Sequence, residues 1–323
     1  MKNLFSLGLL TLLLFSQCSN SEKGTIEPVV ATEDKDPVDK VELGEKLFFE
    51  NLLSLDESIN CATCHIPEFA FADTMPFSIG VDGRLGKRNT PSAMNMQRDI
   101  FFYDGRASTL EKQAVFPIED HLEMSLPIDE AIKRLRNNTN YVKWFKDIYN
   151  EEITIENMTH AIAEFERSLE TSNTPFDRYM AGDEDAISES AKRGHDIFNA
   201  DKSKCFDCHF GPDFTGDEFR NIGLYDEIKY NDKGRYNETN NDSDLGKFKV
   251  PGLRNIAITS PYMHDGSFKT LKEVLEFYNN PYKFVSNPIN LDSIMIEPLG
   301  LSEQELVDLE NFLLTLTDDR FMD

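Results

Sequence analysis

The pentapeptide Cys-x-x-Cys-His occurs twice in the chain, as Cys61-Ala62-Thr63-Cys64-His65 and as Cys205-Phe206-Asp207-Cys208-His209. No other feature constrains the fold as strongly. The two-residue spacing lets both sulfurs reach one edge of a porphyrin and form thioethers with its vinyl groups. The adjacent histidine then presents an imidazole nitrogen to the iron. Zinc and a redox dithiol are the alternatives; zinc needs four ligands close together, and these pairs stand roughly 140 residues apart. The motifs therefore predict two covalent c-type hemes. Cys61 and Cys64 would carry the first, with His65 as axial ligand, and Cys205 and Cys208 the second, with His209.

The surroundings of the motifs repeat as well. Gly44-Glu45-Lys46-Leu47-Phe48 precedes the first and Gly194-His195-Asp196-Ile197-Phe198 the second, and each motif is followed by a Pro and a Phe, Pro67 and Phe69 or Pro212 and Phe214. Two similar modules in tandem are the economical reading. Each module also closes on an amphipathic stripe at helical spacing. Met158, Ala161, Ile162, Phe165 and Leu169 form the first; Leu306, Leu309, Phe312, Leu313 and Leu316 form the second, behind a Ser302/Glu305 capping box. A terminal helix crossing an initial one around a heme is the cytochrome c arrangement. The fold expected is mainly α, two tandem cytochrome c-like heme domains with long loops and little β. The domains expected are 40–172 and 173–323, with a linker over 171–185, where Asn173, Pro175, Gly182 and several acids fall. A Gly/Asn/Asp-rich loop containing a short hairpin is expected over 210–250.

The N-terminus combines Lys2, an apolar run over 4–15 and Cys18. This is the pattern of a secretory signal, too short to span a bilayer. The cysteine directly after the apolar run resembles the lipobox of bacterial lipoproteins, which implies a signal peptide over 1–18, acylation of Cys18, a tether over 19–39 and a periplasmic protein touching the membrane only through its lipid. Gln17 departs from the small residue usual before that cysteine, and plain cleavage nearby, leaving a soluble periplasmic protein, is the alternative. Acidic residues outnumber basic ones 58 to 33, a net charge of −25. Such a surface repels nucleic acid and attracts basic protein patches.

With these residues in view, the chain resembles the bacterial diheme cytochrome c peroxidase and MauG family over about 44–317. The resemblance rests on both heme motifs, Ser78-Ile79-Gly80, Gly86-Lys87-Arg88-Asn89-Thr90-Pro91, Asp104-Gly105-Arg106, Pro175-Phe176-Asp177-Arg178-Tyr179, Leu253-Arg254-Asn255 and Pro261-Tyr262-Met263-His264-Asp265-Gly266. It implies that hydrogen peroxide reacts at the His65 heme, with Glu123 as acid/base and Gln113 beside it, and that the His209 heme passes electrons inward. It further implies an electron relay at Tyr103, where the family commonly has Trp, and a Ca2+ held by Asn89, Thr259 and Pro261.

Two positions depart from the peroxidase pattern. Val81 stands where reductively activated members carry a second histidine ligand, so the His65 heme should be open as isolated; His121 is the nearby histidine to weigh as a displaced ligand. Tyr278, on a stripe with Leu271, Val274 and Leu275 behind a Thr270/Glu273 capping box, stands where peroxidases place a methionine ligand and MauG a tyrosine. It is expected on the His209 iron, with Met263 and His264 as competitors. The function implied is peroxide reduction with electrons from a small cytochrome or another periplasmic donor. The alternatives are a MauG-like oxidase acting on side chains of a partner protein, and a non-enzymatic diheme electron carrier.

Overall fold

The computed structural model describes residues 35–322, so Cys18, the signal segment and most of the tether fall outside the described residues. Two helix pairs organise the chain. α1 (Lys40–Phe48) packs on α6 (Ile155–Ser168), and α8 (Glu189–Phe198) on α11 (Glu303–Leu314). Each starts on a side-chain cap: Asp39 for α1, Thr154 for α6, Ser188 for α8 and Ser302 for α11, the last in the predicted capping box.

The pairs repeat each other in detail. A Cβ on Gly44 would strike the backbone of Ala161, and one on Gly194 the backbone of Asp308, so glycine permits both crossings. Beside each crossing sits a ring triplet. Phe48 lies 5.1 Å from Phe165 and 5.9 Å from Phe71, and Phe198 lies 5.1 Å from Phe312 and 5.9 Å from Phe214. Phe71 is thus the true counterpart of Phe214. Phe69, matched to it from the sequence, is exposed instead.

Two main cores follow from this arrangement, with a smaller cluster of Phe101, Ala107, Leu110 and Ala163. The first gathers buried residues between Leu43 and Leu169, including Phe145 and Leu135 from α4 (Ile128–Asn137) and α5 (Thr139–Tyr149). The second runs from Phe176 to Leu316. The stretch over 171–185, expected as a linker, carries a helix, α7 (Pro175–Met180). Thr174 and Asp177 form its capping box, and Phe176 enters the second core. A proline at the first helical position fits a helix start as well as a linker.

Strand structure is sparse among the described residues. β1 (Phe219–Arg220) pairs antiparallel with β2 (Phe248–Lys249), closing the ends of the Gly/Asn/Asp-rich loop instead of forming a hairpin inside it. Within that loop lie a short α-helix, α9 (Tyr236–Thr239), and a 3-10 turn at Asp242–Asp244. Isolated bridges pinch other loops at their bases, Ile66 to Ala72 behind the first motif and Phe101 to Ala107 around Tyr103. No helix among the described residues is long and apolar enough to cross a membrane.

A candidate diheme site

The first motif begins a short helix, α2 (Cys61–Cys64), capped by Asn60 and Thr63. His65 follows at its end, and its Nδ1–H donates to the carbonyl of Phe71 at 2.9 Å. In the second half His209 Nδ1–H donates to the carbonyl of Phe214 at 2.8 Å. Both carbonyls belong to residues with φ of +56°, a left-handed kink that turns the chain back under the ring. A carbonyl can only accept, so each bond fixes the proton on Nδ1 and leaves the Nε2 lone pair for a metal. Burial pulls both imidazoles below their ordinary value, which favours the neutral, ligating form. The four cysteines form no disulfide, and burial raises all four thiols, to about 11 for Cys64 and Cys205. A sulfur kept uncharged in this way suits a neutral thioether.

A cavity of about 750 Å³ opens beside the first motif. Cys61, Cys64 and His65 form one wall, and α3 (Leu110–Glu119) supplies Gln113 to another. Glu123, Tyr103 and Asn89 line it too. The volume is within the range of cofactor pockets, and its walls mix apolar side chains such as Ile59, Met94 and Phe101 with many polar ones, Arg88, Arg106 and Asp232 among them.

Glu123 is positioned by the segment that carries Val81. The Val81 amide donates to the carbonyl of Glu123 at 2.9 Å, and Val81 is 1% exposed. Gly80 makes this close approach possible, since a Cβ there would meet the carbonyls of Leu122 and Glu123. Burial, helped by the nearby negative charge of Asp120 and opposed by Arg106, pushes the Glu123 carboxyl up to about 7. His121 points the other way. Its side chain is 73% exposed and lies 3.6 Å from Asp120.

Tyr278 lies on α10 (Leu271–Asn279), behind the Thr270/Glu273 capping box, and packs against the second core. Burial raises its hydroxyl, and the neighbouring Cys208 and Cys205 add to the effect, so the ring stands beside the second motif. Met263 also packs on that core. His264 is instead stacked on Phe248 at 3.7 Å, and its carbonyl accepts from the Asn89 amide.

Several of these residues meet where the halves join. The Tyr103 carbonyl accepts from the Lys249 amide at 2.8 Å. Arg88 spans the seam, with Nη1 on Asp104 and Nε on Asp232, each at 2.6 Å. Asn89 donates from Nδ2 to Met75 O, and a Cβ on Gly266 would run into Pro76 and crowd Pro261, so the Met75–Pro76 segment touches Asn89 on one side and Gly266 on the other. Two features escaped the sequence reading. One is the Arg88 seam, whose partner Asp232 lies far from it in the chain. The other is Glu166, a buried acid of α6 that lines the first cavity. An acid one turn after Ile162, beside an apolar stripe, was the signal available.

Paired motifs with oriented imidazoles, in a helical chain built of two like halves, define a diheme c-type cytochrome. A family model described as di-haem cytochrome c peroxidase matches residues 38–185. The methylamine utilization protein MauG of Methylophilus methylotrophus is 37% identical over 275 residues, which is 84% of this chain and 81% of that protein. The cytochrome c551 peroxidase of Nitrosomonas europaea is 36% identical over 255 residues, 78% of this chain and 75% of that one. Among solved structures, a MauG-like protein associated with microbial copper homeostasis superposes with a TM-score of 0.78 at 30% identity, covering 89% of this chain and 94% of its own. The chain belongs to the di-haem cytochrome c peroxidase family, in which MauG is also found. It is accordingly a heme oxidoreductase that acts on peroxide.

Proposed function

We propose that the first cavity is where peroxide is reduced and that the second half feeds it electrons. The observation that carries this reading is the convergence of Glu123 and Gln113 on the cavity of the His65 motif, with a buried Val81 at the position that could otherwise close it. Iron held on His65 supplies, when bound, the Lewis-acidic and redox-active centre for the O–O bond. The chain's own residues handle protons and orientation. Glu123, as carboxylate, takes the proton from the near oxygen of peroxide and returns it to the far oxygen, which leaves as water. Gln113 holds the peroxide by a hydrogen bond from its amide. Tyr103, at the seam, relays electrons between the halves. His209 and Tyr278 ligate the second iron, and the closeness of Tyr278 to Cys205 and Cys208 supports it over His264.

Asn89 with the carbonyls of Thr259 and Pro261 offers hard oxygen donors suited to Ca2+ between the halves. The domains run over 40–172 and 173–323, a division supported by the two cores. The protein works in the periplasm, tethered through an acylated Cys18, and takes electrons from a small cytochrome or another periplasmic donor.

Val81 and Tyr278 favour one second reading. A first heme open without prior reduction and a tyrosine-ligated second heme also suit a MauG-like oxidase that withdraws electrons from side chains of a partner protein. Steady-state peroxide consumption with a reduced small cytochrome, on the protein as isolated, tests the first reading. Rapid turnover supports peroxidase action. A rapid reaction with peroxide that stops after one equivalent without oxidising the cytochrome supports the second. No reaction with peroxide at all sinks both.

A further inference from the structure

Glu166 gives the first cavity a second carboxyl. It is 6% exposed, it lines the cavity, and its Oε2 is buried without a hydrogen-bond partner. A carboxylate there would be stripped of water with nothing in exchange, so the neutral acid is favoured. Burial pushes the group up to about 8. The charges that reach it are Arg167 on its own helix and Glu111 from α3. These two pair with each other at 2.6 Å, and Arg167 holds Glu164 as well at 2.8 Å, so its positive charge offsets the burial of Glu166 only in part. From the motif side it is felt by the Cys61 thiol. α1 buries Leu43, Gly44, Leu47 and Phe48 and α4 buries Ala131, Ile132 and Leu135, none of which ionises.

Proton balance gives such a group a task. Reducing one peroxide to two waters consumes two electrons and two protons. The electrons come from the donor protein. Glu123 only moves a proton that peroxide already carries, so both protons for the second oxygen must enter the cavity. We propose that Glu166 is the proton-holding partner of Glu123: its O–H bond breaks to release one of these protons into the cavity, and the carboxylate is re-protonated from solvent before the next turnover. Glu166 acts through the cavity and not on peroxide, as a relay residue. The inference rests on peroxide being reduced at this cavity.

Infrared spectroscopy of the holoprotein carrying isotope-labelled glutamate tests it directly, because the label separates the carbonyl stretch of a neutral glutamic acid from that of the heme propionic acids. The wild type should show two such bands that shift in D2O. Glu123→Gln should delete one and Glu166→Gln the other, the latter band titrating as pH rises through about 8. Glu166→Gln should also lower turnover at saturating peroxide by about a hundredfold, with KM for peroxide unchanged, a larger solvent isotope effect, and recovery in Glu166→Asp. Retention of both bands in Glu166→Gln, or its turnover at the wild-type rate, overturns the proposal. Should that variant not fold, wild type decides alone: absence of a neutral-acid band titrating near 8 overturns it. Unimpaired peroxide consumption in Glu123→Gln with the Glu166 band present would overturn only the role of Glu123.

Discussion

Glu123 is the residue where burial and chemistry are most tightly joined. Its carboxyl is raised toward neutrality, yet only the ionised form can take a proton from peroxide. The rate of peroxide attack should therefore climb with pH up to about 7 and level off above it. Glu123→Gln should flatten this profile and lower the rate by about two to four orders of magnitude, with both heme spectra retained. Stopped-flow mixing across pH measures both; a profile unchanged in the variant would return Glu123 to a structural role. Tyr278 makes the complementary case in the second half. A phenolate lowers the potential of the iron it binds and a thioether raises it. Tyr278→Met should thus raise the second potential and make the peroxide reaction depend on prior reduction, whereas Tyr278→Phe should open that site and leave the first heme unaltered. A redox titration reads this out, and a second heme of high potential in the wild type would instead favour Met263. The two candidate histidine ligands could be named from sequence because each motif is complete within five residues. Glu123 and Tyr278 were reached only through resemblance, since their distance from the motifs in sequence carries no local signal.

Among the elements, the helix crossings were legible and the loop closures were not. Stripe and capping box specify α6 and α11 locally, and Gly44 and Gly194 stand at matching places before the motifs. Gly194→Ala drives a Cβ against the backbone of Asp308. It should destabilise the second half by about 1–3 kcal/mol, as overpacking does, and heme-band melting should show the loss first at the His209 heme. Gly80→Ala tests a finer link. Its Cβ would press on the carbonyls of Leu122 and Glu123, so peroxide attack should slow while the His209 heme spectrum is retained. An unaffected rate would mean that the Val81 strap does not position Glu123. The β1–β2 pair was misread as a hairpin because its partners flank the loop and do not adjoin a turn. The 171–185 stretch was misread because Asn, Pro and Gly mark linkers and helix starts alike.

At the scale of the whole molecule, much of what joins the halves is polar. Besides Arg88, the seam includes Arg98, 3.4 Å from Asp213 and 3.3 Å from Asp217, and Arg235, which donates to the carbonyls of Asp104 and Gly105. These contacts join residues more than a hundred positions apart, so hydrophobic periodicity could not announce them. A seam of this kind couples the halves through charge pairing, alongside the packing of Ile258 and Phe321 on the first core. Arg88 is its centre, because its guanidinium serves Asp104 and Asp232 together and all three side chains are largely buried. Arg88→Ala would leave the Asp232 carboxylate without its cation, while Asp104 keeps Arg106 at 3.0 Å, a loss of about 3–5 kcal/mol when a buried pair is broken from one side. Each half keeps its own helix pair, aromatic triplet and imidazole–carbonyl bond, so the loss should fall on the coupling and not on either heme. Calorimetry of the holoprotein should show one unfolding transition in the wild type and two in Arg88→Ala, with both heme spectra preserved at low temperature. Reduction of the first heme by electrons entering at the second should slow in the same variant. A single transition at the wild-type temperature would mean that the halves are held by something other than this seam.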